Sequence, residues 1–263
     1  APVAALFAIM TKVGLYSIIR VYTLIFGDEA GSLANMANDW LWPIALLTLA
    51  LGVIGALAAV SLQGLLAYLV VVSVGTLLAG IAIGTEQALA AALYYLVHST
   101  WVAGGLFLLA DLIARQRGEK QALLVQGPAL QNPHLLGGLF FFGAIAVAGL
   151  PPLSGFIGKL LLLRSLEPGL QALLLWPVVL GGGLLTLIAL SRAGSMLFWR
   201  VGLSQLDSAE LDYGRLLACA GLLLLSLLLM VGAAPLLSYV EATASQLHDL
   251  TLYRQIIESG VAR

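Results

Sequence analysis

Charge is scarce along this chain. Only 10% of its 263 residues are Asp, Glu, Lys or Arg, against 61% hydrophobic ones, whereas soluble domains carry about 25% charged residues. With a mean hydropathy of +1.03, the composition is that of an integral membrane protein. The 13 acidic and 12 basic residues nearly cancel. No basic face or Lys/Arg-rich tail results, which excludes nucleic acid as a partner. Cysteine occurs once, at Cys219, so an internal disulfide is excluded and the thiol reads as a small packed hydrophobe. Metal-spaced His/Cys/Asp clusters are lacking, as are a phosphate loop and a nucleophile beside a base. No enzyme chemistry and no cofactor are therefore expected. A haem held by two axial ligands is excluded too, because only His98 lies at membrane depth; His134 and His248 fall in a loop and a tail. Ala1-Pro2-Val3 has no charged leader before the first apolar run. It is not a signal peptide, and the expectation is that the sequence continues a longer chain.

What the chain has instead is apolar runs. Stretches near the length needed to cross a bilayer, roughly 20 residues, fall at 2–26, 41–60, 64–84, 88–112, 135–163, 172–191 and 216–240. They mix Leu, Ala, Val and Gly without strict alternation, which favours helices over a membrane barrel. The expected fold is all-α and integral to the membrane, with about seven spanning helices, one of them discontinuous. The expected divisions are a first helix over 1–26, a five-helix unit over 41–191, and a last spanning helix over 216–240. The tail, 241–263, alternates charges with Leu247, Leu250, Leu252, Ile256 and Ile257, as an amphipathic helix at the membrane surface or against a partner would.

The discontinuity is placed at 149–156. Pro151 and Pro152 remove two backbone donors and clash with the preceding turn, so no continuous helix passes through them. Interrupted backbone survives in lipid only where protein encloses it or a wet cavity adjoins it. Ser154 and Gly155 follow, and Lys159 comes seven residues after Pro152, roughly 10 Å along a helix. A lysine so deep in an apolar segment is expensive, and function is its default reading.

Charge in the loops orients the chain. Segment 113–134 carries Arg115, Arg117 and Lys120, and 191–215 carries Arg192, Arg200 and Arg215. Segment 27–40 has Asp28, Glu29 and Asp39 with no Lys or Arg, and 84–87 has only Glu86. Because Lys and Arg mark the cytoplasmic side, loops 113–134 and 191–215 are expected there. They share a side only if 135–163 crosses once, as a single broken helix. Trp40 and Trp42, and Phe198 and Trp199, fit interfacial belts. Gly52 and Gly55, Gly104 and Gly105, and Gly181 to Gly183 suit close helix packing.

Three titratable side chains lie well inside the runs: Lys12, His98 and Lys159. No carboxylate shares their depth. Desolvation disfavours the charged form of a buried base, and histidine begins near neutrality. Such groups can accept and release protons without a deep trap at any one of them, provided water joins them. Arg20, Asp111, Arg164 and Arg192 lie near span ends, where anchoring is the better reading, and Asp111 is one turn from Arg115 as an ion-pair candidate. Ser73 and Thr76 suit helix packing better than chemistry.

These residues resemble the antiporter-like subunits shared by Mrp-type multisubunit cation/proton antiporters and respiratory complex I. The resemblance rests on Thr11-Lys12-Val13-Gly14-Leu15-Tyr16, Leu66-Ala67-Tyr68, His98 with Leu106-Phe107-Leu108-Leu109-Ala110, and Gly149-Leu150-Pro151-Pro152-Leu153-Ser154-Gly155-Phe156-Ile157-Gly158-Lys159. The last run is the most specific, and within the family the pattern is most similar to the D-type subunits of the Mrp (Pha) antiporters. The resemblance implies an inverted-repeat fold of which this chain is the C-terminal half, with Lys12, His98 and Lys159 on the proton path. It implies further acidic and basic path residues upstream of Ala1, partner subunits, protons and monovalent cations (sodium foremost) as cargo, and residence in the plasma or inner membrane. A redox-linked proton pump of the complex I or membrane hydrogenase kind, and a scaffold without an ion path, are the alternatives. Relatives often carry a lysine four or five residues beyond the histidine. Val102 and Ala103 stand there in this chain.

Overall fold

The structure, a computed structural model, describes residues 2–27, 31–34, 36–200, 202 and 211–249, with side chains from residue 9 onward. The helices are α1 (Pro2–Ile25), α2 (Asn38–Ala58), α3 (Leu62–Ile83), α4 (Glu86–Gln116), α5 (Pro133–Ala148), α6 (Ser154–Arg164), α7 (Leu170–Gly194), α8 (Tyr213–Val231) and α9 (Ala233–His248). Among the described residues, α2, α3, α4, α7 and α8 are long and apolar enough to cross a membrane, and α5 is a shorter apolar helix. The 24-residue α1 and the α5/α6 pair complete the expected seven.

Local chemistry sets several of the boundaries. Ser61 caps α3 by accepting from the Gly64 N–H, and Gly84, at φ 75°, closes it. Thr85 immediately caps α4 through the Ala88 N–H, so α3 and α4 are joined by a two-residue reversal. Close approach of α2 and α3 depends on absent side chains. A Cβ on Gly52 would lie 2.8 Å from the Val72 nitrogen, and one on Gly75 would lie 2.5 Å from the Leu49 nitrogen.

Helix α4 is the centre of the bundle, touching α1, α3, α5, α6, α8 and α9. α1 lays one stripe on it, with Lys12, Leu15, Ile19 and Tyr22 buried while Val13 and Tyr16 face outward. That spacing is one face of a helix. Lys12 thus points into the bundle rather than to its surface.

The last apolar run differs from the single helix expected over 216–240. It divides at Gly232 into α8 and α9. Hydropathy continues across Gly232, but glycine disfavours a helix interior and Pro235, in the first turn of α9, has no N–H to return to the Val231 carbonyl. Helix α9 folds back on α4, burying Val240 and Ala244, and His248 Nε2 lies 3.2 Å from the Gly84 carbonyl oxygen. Residues 241–248 therefore belong to a docked helix, and 250–263 lie outside the described residues.

The connection from α4 to α5 is an ordered layer. The Leu62 N–H donates to the Ala122 carbonyl (2.8 Å) and the Leu124 N–H to the Val60 carbonyl (2.9 Å). The Gly202 N–H, beyond α7, reaches the Gly127 carbonyl at 2.8 Å, and Arg192 donates to the Ala59 carbonyl at 2.8 Å. Both basic loops therefore meet on one face, as a single crossing by α5 and α6 requires. Arg117, a loop charge by its place in the sequence, is only 1% exposed. Its guanidinium donates to the carbonyls of Gln121 (3.2 Å), Leu123 (2.6 Å) and Val125, and burial holds it below its ordinary pKa. Asp111 pairs with Arg115 and also with Arg215 of α8. Phe198, expected at the interface, packs on Phe140 instead, while Trp199 is exposed.

Candidate functional site

The break is built from a helix ending and a lysine that completes it. At the end of α5, the N–H groups of Leu150 and Gly149 bond the carbonyls of Ile145 and Ala146, and Gly149 is left-handed at φ 78°. This Schellman ending satisfies two of the last four carbonyls. The other two, Val147 and Ala148, accept from Lys159 Nζ at 3.2 and 2.9 Å. Every orphan acceptor at this helix end is thereby partnered, and a cation sits at the negative end of the helix dipole. Gly149 makes room, since a Cβ there would lie 2.8 Å from the lysine Cδ.

The peptide between Pro151 and Pro152 is cis. Both prolines are exposed, whereas Ser154 and Gly155 are buried. The expectation that the interrupted backbone is itself enclosed therefore holds for Ser154 and Gly155 and not for the prolines. Lacking N–H groups, the prolines leave no donor unsatisfied at that surface.

His98, 1% exposed, stands opposite the start of α6. Its Nδ1 is 2.8 Å from the Ser154 hydroxyl, which is 2.9 Å from the hydroxyl of Ser226 on α8. The Ala146 carbonyl hydrogen-bonds the ring, and Lys159 is close enough to act on it electrostatically. Gly155 permits this approach. A Cβ there would lie 2.7 Å from His98 Nε2 and 2.2 Å from the Ala146 oxygen. Tyr95 packs beside the ring in a tilted arrangement, 5.7 Å between centroids.

Lys12 is 4% exposed and donates to Ser73 Oγ at 2.5 Å. The Ser73 hydroxyl donates to the Val70 carbonyl (2.7 Å), so its lone pairs are free for the lysine. Between Ser73 and His98 lies a cavity of about 30 Å³, walled by both residues with Leu66, Leu69, Tyr95 and Val147. Its size admits one or two waters, and Ser73, His98 and Ser99 offer them polar partners in an otherwise mainly apolar lining. The Val147 of its wall is also the residue whose carbonyl holds Lys159. The three basic residues singled out from sequence thus converge around α4. Lys12 reaches the cavity through Ser73, His98 lines it, and Lys159 sits behind Val147.

Two contributors escape sequence reasoning. Ser73 reads there as a packing residue, and Ser226 does not stand out. Ser226 does carry a signal: it is the sole polar side chain in the run 221–230. Ser73 carries none, because a serine within a helix ordinarily bonds its own backbone. Among the described residues, no group of three or more His, Cys, Asp or Glu comes together to hold a metal ion.

A helical membrane protein with an interrupted span and buried or half-buried bases gathered around one central helix is the class that fold and site define. Residues 1–188 match the family model described as "NADH:quinone oxidoreductase/Mrp antiporter, TM", and the chain belongs to that family. It is 36% identical to the D subunit of a probable K(+)/H(+) antiporter from Rhizobium meliloti, over 94% of this chain and 50% of that one. It is 34% identical to the D subunit of a Na(+)/H(+) antiporter from Alkalihalophilus pseudofirmus, over 96% and 50%. Among solved structures, the Mrp complex from Dietzia sp. DQ12-45-1b shares the fold, with a TM-score of 0.73 at 23% identity over 94% of this chain and 54% of that one. The chain spans about half the length of the curated relatives it matches.

Proposed function

We propose that this chain is part of a proton-translocating subunit of a multisubunit monovalent cation/proton antiporter, a transporter rather than an enzyme. The supporting observation is the polar sequence Lys12–Ser73–cavity–His98–Ser154, with Lys159 against the same helix end. Its members are basic or hydroxylic, so a proton can be handed along and none is bound irreversibly by an isolated charge. Lys12 passes protons toward the cavity, His98 bridges, and Lys159 exchanges with one membrane face. With Val102 where relatives often carry a lysine, cavity water is the carrier between Ser73 and the ring in this reading.

Sodium is the first candidate for the exchanged cation, the other subunits of the antiporter are the partners, and the plasma or inner membrane is the location. The face carrying loops 113–134 and 191–215 is cytoplasmic in this reading; the contact between Gly202 and Gly127 supports their lying on the same face. Residues 41–191 form one five-helix repeat.

The test is exchange in everted membrane vesicles bearing the full-length complex. Lys159→Arg keeps a cation for the Val147 and Ala148 carbonyls but cannot release its proton. Normal assembly with loss of cation-dependent proton exchange is expected. Unchanged exchange would leave a non-conducting scaffold as the better account. Exchange that requires an electron donor would place the chain with the redox-linked members of its family.

A further inference from the structure

Ser226 is a fully buried hydroxyl with no part in the path above. Most hydroxyls in these helices return to their own backbone, as those of Thr48, Thr76 and Thr100 do. Ser226 instead meets Ser154 at 2.9 Å, 72 residues away in sequence. The meeting is held in register. Helix α8 runs antiparallel to α4 and is joined to it at three levels: Cys219 Sγ to the Gly105 carbonyl (3.2 Å), Ser226 through Ser154 to His98, and the Tyr94 hydroxyl to the Leu229 carbonyl (3.1 Å). Gly105 allows the approach, since a Cβ there would lie 3.0 Å from Leu223.

We propose that Ser226 is a positioning residue which, through Ser154, decides which nitrogen of His98 carries its proton and lets the ring change charge without losing a partner. The proposal rests on His98 lying on the proton path. In the neutral ring the Ala146 carbonyl takes the Nε2–H, so Nδ1 presents a lone pair. Nδ1 accepts from Ser154, and Ser154 accepts from Ser226. In the charged ring Nδ1 bears a proton and must donate. Ser154 then turns its own proton to Ser226, and Ser226 turns its proton to the Leu222 carbonyl four residues back, an acceptor within reach of a helical serine. As Ser154 turns its hydroxyl proton away, the Nδ1 lone pair is opened to one proton from the cavity that His98 lines; each hydroxyl keeps its own proton, and only the two Cβ–Oγ bonds rotate. Without Ser226, Ser154 loses the hydroxyl toward which its proton turns. The other titratable groups facing the ring are Lys159 from α6 and Tyr95 from α4, and Lys12 of α1 reaches the cavity through Ser73 of α3. α5 adds only backbone carbonyls.

The experiment compares Ser226→Ala, Ser226→Thr and His98→Ala in the full-length complex, as exchange rate per assembled complex across pH. The alanine variant is expected to lose about 2- to 10-fold in rate, the worth of one buried hydrogen bond, with a displaced pH profile. Threonine, which keeps the hydroxyl, restores both. Wild-type rate and profile in Ser226→Ala, with His98→Ala inactive, overturns this inference alone. Full activity in His98→Ala overturns the reading on which it rests.

Discussion

Gly155 is the position where one added methyl tests the whole junction. In Gly155→Ala the new carbon would lie 2.2 Å from the Ala146 oxygen, 2.7 Å from His98 Nε2 and 3.0 Å from its Cε1. The first contact is with backbone and cannot yield by a side-chain rotation, so about 1 Å of relief must come from elsewhere. Either α6 moves away from α5, drawing Lys159 off Val147 and Ala148, or the imidazole swings off Ser154. Overpacking costs about 1–3 kcal/mol, and a lost hydrogen bond to the ring about 0.5–1.5 kcal/mol. If about 2 kcal/mol of this weighs against the arrangement that conducts, its population falls about 30-fold. The assay is fluorescence-monitored collapse of an imposed proton gradient on adding cation to everted vesicles. Gly138→Ala on α5 is the control, because its Cβ would meet nothing within 4 Å. A Gly155→Ala complex that assembles and exchanges at the Gly138→Ala rate refutes the junction as described.

Ser73→Ala removes the hydroxyl that receives Lys12, a hydrogen bond to a charged group worth about 1.5–3 kcal/mol. Exchange slower by about tenfold or more is expected, with recovery in Ser73→Thr. Arg117→Ala strips the guanidinium from three loop carbonyls, each costing about 1–3 kcal/mol if left unpaired. Faster hydrogen exchange over residues 117–128 is expected, with exchange of ions per assembled complex unchanged.

The break and the inward bases are legible in the sequence for a simple reason. Proline lacks an N–H wherever it stands, and a lysine in a long apolar run has few tolerable positions. Pro151, Pro152, Lys12 and Lys159 therefore announce themselves without a fold. The hydroxyls do not. Ser73 is partnered by a residue 61 positions away and Ser226 by one 72 away, and their local sequences are those of any serine satisfied by its own helix. Arg117 shows the converse. Its place in a loop follows from the sequence, but its burial does not, because the acceptors are carbonyls that any residue could supply. At Gly232 the apolar composition runs on while the helix does not, so hydropathy alone joins two elements that the backbone separates.

The most direct measurement is a structure of the full-length complex at a resolution that shows ordered water. Density for at least one water within hydrogen-bond distance of Ser73 Oγ, in the cavity beside the His98 ring, is predicted, with Lys12 still on Ser73 and Lys159 still on Val147 and Ala148. An acyl chain or an apolar side chain filling that space, leaving Lys12 and His98 without a hydrated connection, would contradict the account.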